Sequence, residues 1–138
     1  MDFYVLGNSS VEGSEQACRL ALMAWEQGST AFVVCASVGD AEALDRFMWQ
    51  YPPGRFLPHA SSTDENAARA AVNIGPLADL NPVDVVINLG RDPIPEPGKF
   101  RRVLEIVPFA EDERQASRAK YRYYRSLGLK PRTNDIDK

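Results

Sequence analysis

Short apolar runs alternate with helical patterns along this 138-residue chain, and that alternation constrains the fold more than any other feature. Residues 31–36 and 83–89 are nearly continuous apolar runs, as expected of central strands covered on both faces. The pattern predicts an α/β fold with three layers, in which helices flank a mainly parallel sheet in a Rossmann-like arrangement. No linker, repeat or low-complexity tract interrupts the chain, so we expect residues 1–138 to form a single domain.

The spacing of apolar residues along the chain predicts the positions of the individual helices and strands. Helices are predicted at residues 14–27, 40–51 and 111–127, each with apolar side chains at helical spacing. Polar residues 61–66 are predicted to form a loop, and the helix at 111–127 is the last element of this prediction. Strands are predicted at residues 3–6, 31–36, 70–74, 83–89 and 102–107, with a short extended piece at 56–59.

The carboxyl-terminal part of the chain is strongly basic. Seven Lys or Arg residues and no Asp or Glu lie between positions 114 and 132, although the whole chain has a net charge of −3. This segment predicts a basic surface on an otherwise acidic protein. The basic surface attracts an anionic partner, and the acidic remainder disfavours non-specific binding to nucleic acid. The seven residues are Arg114, Arg118, Lys120, Arg122, Arg125, Lys130 and Arg132.

One stripe of the last predicted helix combines arginines with an aromatic residue. Its members follow the spacing i, i+4, i+7 and i+11, and they are Arg114, Arg118, Tyr121 and Arg125. Such a stripe is often only the solvated face of an amphipathic helix. Here the single sign of charge and the tyrosine favour a ligand that is partly anionic and partly apolar. We expect the opposite side to pack on the sheet through Ala116, Ala119, Tyr123 and Leu127.

The sequence offers no catalytic, metal or cofactor site. Cys18 and Cys35 are predicted to be buried, reduced thiols, and His59 a surface or interface histidine. Asp84 flanks a strand, as a capping or turn residue does. The turn from Gly7 to Gly13 lacks the lysine and the glycine spacing of a phosphate-binding loop. No signal peptide or membrane-spanning run is present, which favours a cytosolic protein without membrane contact.

The order and spacing of several short motifs resemble the bacterial DNA polymerase III chi subunit family. The resemblance is strongest where Val107-Pro108-Phe109 is followed by Arg114, Arg118, Tyr121, Tyr124-Arg125 and Gly128. It extends over most of the chain except residues 60–82. Further matches are Phe3-Tyr4-Val5-Leu6, Glu15 with Ala17-Cys18, the helix from Leu44 to Trp49, and Phe56-Leu57-Pro58-His59.

The resemblance implies a non-catalytic subunit of the clamp-loader assembly in the bacterial, cytoplasmic and nucleoid-associated replisome. Its implied partners are the psi subunit and the acidic C-terminal tail of single-stranded DNA-binding protein, so that DNA is reached only indirectly. The implied psi-binding residues are Trp49, Phe56, Leu57 and Pro58. The implied tail-binding residues are Val107, Arg114, Arg118, Tyr121, Arg125 and Gly128.

Two alternatives of other classes remain open at this point. The basic helix suits direct binding to nucleic acid, although the acidic remainder of the chain opposes extended contact with phosphates. An α/β domain also suits a nucleotide-dependent enzyme, although the phosphate-binding loop is missing.

Overall fold

The computed structural model describes residues 1–7, 13–50, 58–62 and 70–136, which form seven strands and three helices. Two short helical turns, Leu77–Asp79 and Pro97–Lys99, connect some of these elements. The elements in chain order are β1 Asp2–Leu6, α1 Gly13–Glu26, β2 Ala31–Cys35, α2 Val38–Met48, β3 His59–Ser61, β4 Val72–Pro76, β5 Val85–Asn88, β6 Arg102–Val107, α3 Glu111–Ser126 and β7 Arg132–Ile136.

The strands form one sheet in the order β3-β4-β2-β5-β6-β1-β7, and each of its six neighbouring pairs is parallel. The connections through α1 and α2 run towards the β3 edge, whereas the connection through α3 runs towards the β7 edge. Crossovers between parallel strands are right-handed, so connections in opposite directions place their helices on opposite faces. This topology confirms the predicted Rossmann-like α/β fold with three layers.

Side-chain alternation along the strands divides the core between the two faces. On the face covered by α1 and α2, strand residues such as Val33, Ile87 and Ile106 pack with the helices. On the other face, Phe32, Val86 and Val103 form a second cluster, and Phe3, Val107 and Tyr124 of α3 form a third. All five residues of β2 are buried, as its continuous apolar sequence predicts.

The sequence analysis missed strand β7, whose residues are mostly polar. It forms because its backbone pairs with β1, in a register from Asp2↔Arg132 to Leu6↔Ile136. Arg132 and Arg102 each bond the Asp2 carboxylate, at 3.1 and 2.9 Å. Burial alone raises the pKa of Asp2, but the Arg102 hydrogen bond and the Arg132 charge outweigh it and lower the pKa below 3.8. This strand needs few apolar residues, because its faces are little covered and Arg132, Thr133 and Asp135 are exposed.

Other element boundaries differ by a few residues from those predicted. Helix α2 begins at Val38 rather than residue 40, because the Ser37 hydroxyl accepts a hydrogen bond from the Asp40 backbone N–H at 3.1 Å. Strand β3 includes Ser61, which was predicted to be in a loop. The remaining strands lie at or near their predicted positions.

The structure also tests what the sequence predicted for the two cysteines and for Asp84. Cys18 and Cys35 are free and buried, and burial raises the pKa of each thiol to about 12, with Glu15 and Asp40 adding to the effect. Asp84 was predicted to be a capping or turn residue; its carboxylate instead accepts a hydrogen bond at 2.9 Å from the backbone N–H of Thr30, 54 positions away in the sequence. Within the described ranges, no helix has the length and apolar character that a membrane span requires.

Candidate functional site

A hollow of about 200 Å³ lies between α3 and the sheet. Strands β1, β6 and β7 supply its floor, and one side of α3 supplies its wall and rim. Four of the six residues predicted for tail binding meet here, whereas Arg125 and Gly128 do not line the hollow. The lining residues are Phe3, Val5, Val107, Arg114, Ser117, Arg118, Tyr121 and Thr133.

The floor of the hollow is apolar and firmly packed. Phe3 and Val107 are almost fully buried, at 3% and 5% exposure. The ring of Tyr121 is tilted against the ring of Phe3, with centroids 5.5 Å apart. The rings of Phe3 and Tyr124 also pack in a T-shaped arrangement, with centroids 6.1 Å apart. These contacts preform the hollow, so a ligand does not have to open it.

The rim carries positive charge. The Arg114 side chain donates hydrogen bonds to the backbone oxygens of Phe109 at 3.0 Å and Leu6 at 3.1 Å. These acceptors are uncharged, and no ion pair between described residues includes Arg114. Arg118 bonds Glu111 at 3.2 Å, but both side chains are more than half exposed, so this pair is weak and a competing anion can replace it. The site thus combines an apolar hollow with a cationic rim.

Helix α3 does not pack on the sheet through the face that the sequence analysis predicted. Tyr123 and Leu127 are exposed, at 36% and 51%. The buried residues are Ser117, Lys120 and Tyr124 instead. The arginine stripe therefore borders the packing face rather than standing opposite it, and this position brings Arg114, Arg118 and Tyr121 to the hollow.

A buried polar network determines that orientation. Lys120 Nζ lies 2.9 Å from Glu105 Oε1 and donates a second bond to the backbone oxygen of Gly90 at 2.5 Å. The other Glu105 oxygen accepts bonds from the Tyr124 hydroxyl at 2.5 Å and from Asn88 Nδ2 at 2.8 Å. Burial, with help from the Glu105 charge, raises the pKa of Tyr124, which keeps its hydroxyl as a donor.

The network also corrects the predicted basic face. Lys120 is 2% exposed and neutralised by Glu105, so it adds no charge to the surface. Arg132 is exposed but paired with Asp2. Arg122, Arg125 and Lys130 are exposed, and no ion pair among the described residues includes them.

The residues predicted to bind psi are only partly described. Trp49 follows α2 directly and is 61% exposed, and its ring lies 4.8 Å from that of His59. Pro58 is half-buried, whereas Phe56 and Leu57 lie outside the described residues. His59 was predicted to be a surface or interface histidine. The surface alternative is wrong, since the ring is 1% exposed and lies 3.3 Å from the Asp45 carboxylate, whereas an interface role stays a prediction. Asp45 lies on helix α2, 14 residues before His59 in the sequence.

Sequence reasoning missed half of the hollow's lining, namely Phe3, Val5, Ser117 and Thr133. Strand alternation does place Phe3 and Val5 on one face, and helical spacing places Ser117 beside Tyr121. Only the sheet order brings these residues together. Among the described residues, no group of three or more His, Cys, Asp or Glu side chains can hold a metal ion.

Comparison with known proteins identifies relatives over nearly the whole chain. A family model described as DNA polymerase III chi subunit, HolC, matches residues 1–132. The chain is 34% identical over 129 residues to DNA polymerase III subunit chi of Pseudomonas aeruginosa, covering 93% of this chain and 90% of the relative. It is 28% identical to the subunit of the same name from Haemophilus influenzae (97% and 95% covered) and 26% identical to that from Escherichia coli (92% and 91% covered).

Solved structures with a similar fold are distant in sequence. A chain in a structure of S. cerevisiae Dbp5 with bound partners has a TM-score of 0.67 at 11% identity, covering 99% of this chain. A DEAD box protein from Methanococcus jannaschii has a TM-score of 0.60 at 16% identity, covering 95% of this chain. The present chain spans only 42% and 40% of those two chains, and at these identities the likeness shows the fold alone.

Proposed function

Because the chain belongs to the DNA polymerase III chi subunit family, we propose that it links the polymerase clamp loader to single-stranded DNA-binding protein. Family membership makes it an accessory subunit of the bacterial replication machinery. In the proposed role it catalyses no reaction, binds psi on one surface, and binds the acidic C-terminal tail of single-stranded DNA-binding protein on another. It acts within the replisome of the bacterial cytoplasm.

The observation that carries the tail-binding proposal is the hollow with its arginine rim. The tail is acidic and ends in an apolar residue that bears the terminal carboxylate. A ring of that residue fits over Phe3 and Val107, where it is removed from water. The carboxylate and the acidic side chains then lie near Arg114 and Arg118, whose planar guanidinium groups bind carboxylates through paired hydrogen bonds. Arg125 and Lys130 stand farther off and attract the tail at longer range.

Direct binding to nucleic acid receives less support from the same residues. Extended contact with phosphates needs a broad positive surface. Lys120 is buried against Glu105, and Arg132 is paired with Asp2, so two of the seven basic residues are compensated within the protein. Of the remaining five, Arg114 and Arg118 line an apolar hollow, which suits a tail with an apolar end better than a phosphate backbone.

Titration with a synthetic peptide tests tail binding. The peptide consists of an acidic run followed by Ile-Pro-Phe with a free carboxylate, and the control peptide lacks the final Phe. We expect a Kd in the range of about 1–100 μM for the full peptide and a loss of at least about tenfold for the control, because the control cannot fill the hollow. Equal affinity for both peptides, or tight binding to a bare oligonucleotide without any response to the peptide, would contradict the proposal.

The psi-binding proposal depends on Trp49, which is largely exposed despite its apolar ring. Large exposed aromatic residues commonly anchor protein interfaces. We expect Trp49→Ala to weaken binding to psi by about tenfold or more in a pull-down titration. Trp25→Ala is the matched control, because Trp25 is also partly exposed but lies on α1. Unchanged psi binding by Trp49→Ala, or an equal loss in both variants, would place the psi surface elsewhere.

A further inference from the structure

Strand β7 leaves one edge of the sheet open beside the hollow. Among the described residues, β7 pairs with β1 alone. Thr133 of β7 also lines the hollow, so the open edge and the hollow share a residue. A chain segment that leaves the hollow over Thr133 therefore meets the outer edge of β7, which pairs with no other described strand.

The hydrogen bonds of β7 show which backbone groups face outward. The Arg132 backbone N–H bonds the Met1 oxygen at 3.0 Å, and the Ile136 oxygen accepts a bond from the Gly7 N–H at 2.7 Å. In a parallel pair, alternate residues of a strand direct both of their backbone groups to the same neighbour. Residues 132, 134 and 136 thus face β1, and the backbone groups of Thr133 and Asp135 face away from it.

The charges beside this edge suit an acidic partner at the start of β7. Lys130 is exposed just before the strand, and Arg118 lies across the hollow on α3. Arg132 at the beginning of the strand is also exposed, but it is paired with Asp2. Asp135 near the end of the strand is the exception, since it repels an acidic chain. Neighbouring strands lie about 4.8 Å apart, so a side chain on an added strand that points to the α3 face stands at the mouth of the hollow.

We propose that the acidic segment before the tail's final aromatic residue pairs with the open edge of β7 as an additional strand, while the aromatic ring enters the hollow. This inference rests on the proposed tail binding and adds its mode, β-strand addition. Backbone hydrogen bonds to Thr133 and Asp135 hold the segment in an extended form. Exposed Lys130 complements its charge.

Amide hydrogen exchange in the wild-type protein tests the proposal without altering the fold. At a saturating concentration of the acidic Ile-Pro-Phe peptide, we expect the exchange of the Thr133 and Asp135 amides to slow by about fivefold or more, because each gains a hydrogen bond. The Asn134 amide already faces β1 and serves as the internal control. Unchanged exchange at Thr133 and Asp135 under saturation would overturn the strand addition and leave tail binding in the hollow intact.

A pair of substitutions at one position gives a second, independent test. Asp135→Pro removes an outward N–H without breaking the pairing with β1, and an edge strand tolerates proline there. Asp135→Asn keeps the N–H and removes the same negative charge. We expect Asp135→Pro to bind the peptide about tenfold more weakly than Asp135→Asn, with similar melting temperatures.

Equal affinity of the two variants for the peptide would overturn the inference. A wild-type dimer that Asp135→Pro dissociates would also overturn it, because a second copy of the chain would then occupy the edge of β7. Failure of the wild-type protein to bind the peptide would overturn the proposed function as well.

Discussion

Replacing Lys120 with methionine is expected to lower the free energy of unfolding by about 3–5 kcal/mol, although the substituted residue is a lysine on a surface helix. The reason is that the Glu105 carboxylate, 1% exposed, loses the cation 2.9 Å away and is left inside the protein without a countercharge. Urea denaturation of the two proteins measures the difference directly. Lys130→Met is the matched control, since Lys130 is exposed, and it should change the stability by less than about 0.5 kcal/mol.

A second substitution separates the buried charge from the loss of packing. Adding Glu105→Gln to Lys120→Met removes the unpaired charge but keeps an oxygen that accepts bonds from Tyr124 and Asn88. We expect the double variant to recover at least about half of the lost stability, because an uncompensated buried charge is the larger cost. If the double variant were no more stable than the single one, or if Lys120→Met cost less than about 1 kcal/mol, the buried pair would not have the role assigned to it.

The elements that sequence periodicity predicted well are those with a local physical cause. Strand β2 is recognisable because each of its five residues is apolar and buried, and the three helices because their apolar residues recur at helical spacing. Strand β7 has no such pattern. Its formation depends on pairing with β1, more than 125 positions away in the sequence, and on bonds to Asp2.

The candidate site likewise has residues that local spacing predicts and residues that only tertiary contacts bring together. Helical spacing alone places Arg114, Arg118 and Tyr121 on one stripe, and the structure keeps them together. The packing face of α3 was wrong because a lysine was assumed to be exposed, whereas Glu105 of β6 draws Lys120 inward. No local pattern reveals that pairing. Phe3 and Thr133 complete the hollow only because the sheet order sets β1 between β6 and β7.

Reversing the charge of Arg118 is expected to give the second-largest effect, this time on binding. Arg118 lines the hollow, and its weak pairing with Glu111 leaves it available to an anion. Arg118→Glu both removes a partner of the tail and adds a repulsive charge. We expect it to weaken the binding of the acidic Ile-Pro-Phe peptide by about 2–3 kcal/mol, a factor of about 30–160.

Arg122→Glu provides the comparison, because it makes the same charge change one turn along α3 at a residue that does not line the hollow. At physiological salt, an exposed charge beyond the site should change the affinity by no more than about threefold. The measurement is therefore the ratio of the two variants' Kd values for one peptide. A ratio of about ten or more places the tail in the hollow; equal Kd values, or a wild-type Kd for Arg118→Glu, would contradict it.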